Sequence, residues 1–363
     1  MKMRPVTTLY ADLSPRRALA ILLIVATTAA VGILRPGDVR TLHLGNLAEE
    51  LDDSLVYRAV ADRVHAGEGY YDAAAIELEA HGYPTQSTFN WRLPTYAWLL
   101  GTLPDASWGE SLLALVVILA ITMASTILTS DSGIGIRMAT FGALAIAEGW
   151  LAFAEPAYFT ELWAGTFILM SLCLYFNGNW IGGVVTGSMA LVLRELTVPF
   201  CAIMFGFSIY HRRWREVGVW LAIFAAYALF FRLHSLEVSR RGADLSAGRA
   251  IAWLTCGGVT SILSTARMNF FLSLFPVWAT ACYVPLAVLG LLGWPPRNSL
   301  PIKFTTVAYL VLFSFVGQSF NFYWGWLIAP LLAIGIVRAP FSVLDLVRCV
   351  RKSPGLHARE TGI

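Results

Sequence analysis

Long apolar runs, broken by short polar turns, account for most of this chain. A helix needs about 20 apolar residues to cross a bilayer. On that measure the pattern predicts spans near 18–34, 108–129, 137–154, 157–176, 179–193, 196–210, 216–232, 269–293, 304–318 and 324–340. Residues Pro94 to Leu103 are apolar but too few to span, and read as a re-entrant or interfacial piece. The expected fold class is all-α: a single polytopic domain over 18–340 with about ten transmembrane helices. A cytoplasmic N-terminus (1–17) precedes it and a basic cytoplasmic tail (341–363) follows. No internal repeat or low-complexity tract interrupts this layout.

Two long polar stretches break the pattern, at 35–103 and at 233–268. In the first, Asn46 followed by Glu49 predicts a helix start, a side-chain cap with an acid three residues on. Leu47, Leu51, Leu55 and Ala59 then recur every four residues as an apolar stripe. Asp53 and Tyr57 share the same spacing on a different face. An amphipathic helix resting on the membrane surface, its acidic face solvated, is the plain structural reading. In the second stretch Ile251, Leu254, Ile262 and Leu263 suggest another interfacial helix.

Composition settles the class. The chain is 57% hydrophobic and 13% charged, against about 25% charged in soluble proteins. A net charge of +3 is too small to argue for nucleic-acid binding, and no nucleic-acid partner is expected. The five cysteines form no CxxC pair, and the six histidines lack ligand spacing, so neither a disulfide framework nor a zinc site is expected. The positions of the charges matter more than their sum. Placing the N-terminus inside puts Lys2, Arg4, Arg16 and Arg17, then Arg137, then Arg212, Arg213 and Arg215, then Arg297 and Lys303, then Arg348, Arg351, Lys352 and Arg359 on the cytoplasmic side. That is what the positive-inside rule requires. The first long loop is then external, and from Arg35 to Arg92 it carries ten acids against five arginines. The second external loop runs the other way, with Arg240, Arg241, Arg249 and Arg267 outnumbering Glu237 and Asp244. External arginines suit either headgroup anchoring or an anionic ligand such as a lipid phosphate.

Ionisable groups inside apolar runs are costly and tend to be functional. Arg194 and Glu195 interrupt the run from Trp180 to Phe207, at the external junction of two expected spans. Glu148 and Glu155 lie seven apart, which predicts a shared helix face, with Glu161 just beyond the turn. An ion pair of Arg194 with Glu148 or Glu155 is one reading, and a substrate cavity is the other.

Taken together, these features resemble the GT-C superfamily of membrane glycosyltransferases, which use polyprenyl-phosphate-linked sugars. Members include protein O-mannosyltransferases, the aminoarabinose transferase of lipid A, and mycobacterial mannosyl- and arabinofuranosyltransferases. In that family one span precedes a long external loop with an acidic motif, often Asp-Glu-x-x-Tyr. The string resembling it here is Asp53-Ser54-Leu55-Val56-Tyr57, then Ala59 or Ala61, Gly67 or Gly69 with Tyr70 and Tyr71, and later Asn90-Trp91-Arg92-Leu93-Pro94. The strings Arg194 to Pro199 and Asn321 to Ala333 are also similar to elements of these enzymes. Two departures stand out: Ser54 occupies the place of the second acid, and the motif lies well beyond the first span.

The resemblance implies an inverting transfer at the external face of a bacterial inner membrane, by a monomer. A sugar would pass from a polyprenyl-phosphate donor to a hydroxyl acceptor on a lipid, glycan or protein. Asp53 is the first candidate for the base, ahead of Asp52 and Asp38. Arg92, Arg194, Arg240 and Arg241 are candidates for the departing phosphate, with Glu155 and Glu195 beside the substrate. Tyr57, Trp91, Tyr323 and Trp324 would stack on sugar or line the lipid groove, or pack as core and interface aromatics. Some members need a divalent metal; Asp38, Asp52 and Glu155 could ligate one, but they lack ligand spacing and no metal or other cofactor is expected. The rival classes are a secondary transporter or lipid flippase, a polysaccharide polymerase or ligase, and a membrane scaffold without chemistry. A transporter predicts paired repeats, and a polymerase or ligase predicts a large external loop late in the chain.

Overall fold

The computed structural model describes residues 8–352 apart from Leu44, Asn46 and the segment 243–252. The expected cap at Asn46, and Asp244, Arg249 and Ile251 of the second loop, lie outside the described residues, as do the two termini. Within them the fold is helical; a lone bridge between Leu254 and Val316 is the extended pairing. The first long helix, α1, runs Pro15–Leu34, opened by proline at a position that lacks an intrahelical acceptor anyway. The acidic loop then folds as α2 (Leu47–Glu50), α3 (Asp53–His65), α4 (Tyr70–Ala80) and, past a 3-10 turn at Thr88–Asn90, α5 (Pro94–Gly101). These short helices own a small core of Val56, Val60, Tyr70, Ala74, Leu78 and Trp91.

The bundle follows as α6 (Ala106–Ile127), α7 (Ile134–Ala147), α8 (Thr160–Phe176), α9 (Trp180–Leu193), α10 (Val198–Tyr210) and α11 (Trp214–Gly242). After α12 (Gly258–Ala266) and α13 (Phe270–Ser273) it closes with α14 (Val277–Leu292), α15 (Pro296–Phe315) and α16 (Ala329–Arg351). Helix α8 sits at the centre and is buried along nearly its whole length. Helices α14 and α16 cross in close contact because Gly290 and Gly335 remove the side chains between them. A Cβ on Gly290 would collide with the Gly335 carbonyl, and one on Gly335 with the Ala287 carbonyl. Small residues at such crossings let backbones approach. Large apolar side chains such as Ile24, Leu115, Ile118 and Ile181 face outward, where lipid would cover them.

Among the described residues four helices, α1, α6, α11 and α16, are long and apolar enough to cross a membrane. The other six expected spans coincide with shorter apolar helices, α7 to α10, α14 and the apolar part of α15. Helix length alone therefore supports four crossings, and a count of ten does not follow from it.

Local chemistry accounts for other departures from expectation. The helix expected through Leu47, Leu51 and Leu55 is broken, because Asp52 caps a new one by accepting from the Asp53 amide at 2.9 Å. The buried face of α3 is consequently Ser54, Val56, Val60 and Ala61, with Tyr57 half-buried beside them, while Leu55 is exposed. Glu148 and Glu155 share no helix face: α7 stops at Ala147, and two 3-10 turns (Gly149–Ala152, Glu155–Tyr158) follow. The span expected at 269–293 is interrupted at Pro276, which caps α14. Helix α16 carries on past Pro340 into the expected tail, because Leu346 and Cys349 bury against Tyr10 and Leu289. Helix α11 likewise extends past 232 to Gly242, where Val238 joins the core of the acidic loop.

Candidate active site

At one end of the bundle four pieces of chain meet: the start of α3, the loop at Trp91–Leu93, the first turn of α8, and the 3-10 turn Ser319–Leu327 that precedes α16. That last turn can lie flat on α8 because Gly165 leaves room for the Trp326 carbonyl. It is closed by a reciprocal capping box between Gln318 and Asn321, which satisfies donors that a 3-10 segment would otherwise leave open.

Asp53 is the first residue of α3, where the positive end of the helix dipole favours a carboxylate. Its Oδ1 accepts a hydrogen bond from the Tyr83 hydroxyl, and its Oδ2 faces the Tyr57 hydroxyl at 3.5 Å. The Tyr323 hydroxyl lies close enough to favour the charged form of this carboxylate as well. No ion pair reaches Asp53 among the described residues, although Asp52 adjoins it. Burial pushes its pKa up, Arg92 pulls it back in part, and the neighbouring Asp52 adds to the rise; the balance is upward. A carboxylate held by hydroxyls, with a raised pKa and no direct ion pair among the described residues, has the properties of a general base.

Arg92 lies behind the tyrosines. It donates to Tyr57 Oη from Nε (2.9 Å) and Nη2 (2.6 Å), and to Tyr323 Oη at 3.0 Å. Its backbone has a φ of +55°, a left-handed conformation that costs a non-glycine residue about 1–3 kcal/mol. Its surroundings hold it there: Tyr70 Oη bonds the Arg92 carbonyl at 3.0 Å, and Trp91 is locked by its indole N–H on the Thr85 carbonyl at 2.8 Å.

Beyond Arg92 the charges alternate. Glu161, fully buried in the first turn of α8, lies 3.5 Å from Arg92 Nη1 and 2.8 Å from Arg194 Nε, the latter an ion pair with its N–H off-axis. Arg194 caps α9 and pairs in turn with Glu195. The line thus runs Asp53, the two tyrosines, Arg92, Glu161, Arg194, Glu195. Buried charges are tolerated only when paired in this way.

The two ends of the line open on different surroundings. Asp53 and Asp52 line a polar cavity of about 440 Å³ together with Arg40, His81, Tyr83 and Tyr323. Arg194 and Glu195 line an apolar groove of about 480 Å³, whose other walls include Phe89, Pro199, Tyr227, Phe231, Trp253 and Trp324.

The remaining candidates go elsewhere. Asp38 lines a neighbouring cavity rather than that of Asp53. Glu155 begins a 3-10 turn and lines neither the cavity nor the groove. Arg240 pairs with Glu237 of its own helix at 2.8 Å, and Arg241 with Asp72; both arginines are exposed, and the second ties the end of α11 to the acidic loop. Arg194 pairs with Glu161 and Glu195 rather than with Glu148 or Glu155, since the break after Ala147 takes those two acids out of the helix. Sequence reasoning noticed Glu161 but gave it no role. Its signal was an acid in the first turn of an otherwise apolar helix, the same anomaly that marked Arg194. Tyr83 carried no such signal. The described residues contain no cluster of three or more metal-ligating side chains. No protein-family model, no curated protein and no solved structure matches this chain.

Proposed function

We propose that this membrane protein transfers a sugar from a polyprenyl-phosphate donor to a hydroxyl acceptor, with inversion at the anomeric carbon. The observation that carries the reading is the single line of alternating charges joining a polar cavity with a free carboxylate to an apolar groove with an arginine. Donor and acceptor of such a reaction differ in the same way, one a lipid phosphate and the other a polar hydroxyl.

In this reading the acceptor hydroxyl lies at Asp53. Its oxygen attacks the anomeric carbon while Asp53 takes the proton, and the bond from that carbon to the phosphate oxygen breaks. The departing phosphate keeps the electron pair, so negative charge grows beside the apolar groove. Arg194 is the group placed to meet it, exchanging Glu195 for phosphate as partner; charge-assisted bonds of this kind stabilise developing anions. Arg92 does not touch the groove. It fixes Tyr57 and Tyr323 and holds down the pKa of Asp53 through space. Asp52, as the cap of α3, positions its neighbour. The ten apolar segments then alternate across the bilayer, with both termini on the cytoplasmic side and the site on the external face.

Purified protein in lipid vesicles, supplied with radiolabelled polyprenyl-phosphate sugar and a hydroxyl acceptor, tests the reading. It requires label to move to the acceptor with release of polyprenyl phosphate. Movement of intact labelled lipid between leaflets, without release, indicates a flippase instead.

A further inference from the structure

Beside the Asp53 cavity lies a second one, of about 280 Å³, between α12 with the chain leading into it and the turn before α16. Its walls are rich in hydroxyl and amide groups, among them Thr255, Ser261, Ser264 and Asn321, over the aromatic rings of Phe322 and Trp324. Ser319 and Phe322 line both this cavity and that of Asp53. Trp324 is buried and also borders the apolar groove of Arg194. No lysine or arginine lines the cavity, and its one charged residue is the exposed Asp38. An anionic guest is therefore disfavoured. Aromatic faces bordered by hydroxyls and a carboxylate suit a neutral polyhydroxylated ring, whose C–H face packs on the ring and whose hydroxyls find partners at the rim.

We infer that this second cavity is a subsite for a neutral saccharide unit of the acceptor, next to the unit whose hydroxyl reaches Asp53. The inference rests on the transfer reading and makes its acceptor a glycan of two or more units rather than a lone lipid or protein hydroxyl.

Saturation-transfer NMR on the full chain in lipid nanodiscs tests it, with neutral disaccharides of glucose, mannose, galactose and arabinofuranose, and the matching monosaccharides as comparators. At least one disaccharide should bind more tightly than its monosaccharide. Ser261→Leu, which fills the cavity, should weaken that binding about tenfold or more, equivalent to about 1.4 kcal/mol. Ser261→Ala, which keeps the space, should stay within about twofold of wild type, well short of that tenfold step, and separates occupancy from misfolding. Asp53→Asn should bind the saccharide normally while losing transfer. Absence of binding by every disaccharide, or binding unchanged in Ser261→Leu, overturns the subsite. Saccharide binding intact while the wild type moves no label from polyprenyl-phosphate sugar overturns the transfer reading and leaves the subsite standing; undiminished transfer in Asp53→Asn overturns only Asp53 as the base.

Discussion

Asp53 is held by hydroxyl groups alone, and that sets how the site should respond to pH. Its pKa is raised, so the deprotonated base form is complete only above a pH higher than an ordinary carboxylate needs. Activity should fall as pH drops through that raised value, and a kcat/KM profile should place its acid limb above about 4. Arg92 favours the charged form, so Arg92→Gln should move the acid limb further up while lowering the maximum rate. An acid limb that stays put or moves down in that variant contradicts the assignment of Asp53 as base. Glu161 has a different role. It is the shared counter-charge of Arg92 and Arg194, and Glu161→Gln leaves both arginines short of a partner in a buried place. Denaturation of the purified protein should register a loss of about 3–5 kcal/mol, far more than Glu155→Gln, whose side chain has no such task. These roles were unevenly visible in the sequence. Arg194 could be picked out by the cost of its place in an apolar run, and Asp53, Tyr57 and Arg92 through the strings that carry the resemblance, but the pairing of Glu161 needs the fold, because it depends on which of three nearby acids the chain turns toward Arg194.

Helices and turns decide which of those residues meet. The acidic loop shows how one side chain redirects an element: Asp52 caps its own amide neighbour, starts α3 one residue later, and so turns Asp53 and Tyr57 inward and Leu55 out. Apolar spacing alone cannot reveal this, since the stripe at Leu47, Leu51 and Leu55 assumes an unbroken helix. Long apolar runs were legible in position, and their ends were not. The breaks after Ala147 and at Pro276 and the extension of α16 past Pro340 all depend on tertiary partners or on turn geometry. The crossing of α14 and α16 gives a test at this scale. Gly290→Leu must push the two helices apart, because a side chain has nowhere to go but into the opposing backbone. Thermal melting should drop by several degrees, as an overpacking cost of about 1–3 kcal/mol implies. Gly206→Leu, on α10 with open space around it, should change it little.

For the molecule as a whole, the proposed orientation rests on the distribution of charges along the sequence. Every piece of the proposed site lies at the end of the bundle that carries the acidic loop, and the arginine-rich turn at Arg212–Arg215 belongs to the other. In a background lacking the exposed Cys256 and the half-buried Cys282 (Cys256→Ser, Cys282→Ser), Glu68→Cys should react with an impermeant maleimide in intact cells. Arg212→Cys should react only after permeabilisation; the reverse pattern would invert the proposed topology. Fold class and a membrane setting were legible from composition and periodicity, whereas the line of paired charges joining the polar cavity to the apolar groove became visible only in three dimensions. That joining is the core of the account, and its chemistry turns on one atom pair in Asp53. The most direct test is single-turnover transfer from radiolabelled polyprenyl-phosphate sugar by wild type, Asp53→Asn and Asp52→Asn at matched protein levels. The account predicts a loss of about a hundred- to ten-thousand-fold in Asp53→Asn and a much smaller one in Asp52→Asn. Wild-type transfer by Asp53→Asn, with Asp52→Asn inactive, would contradict it.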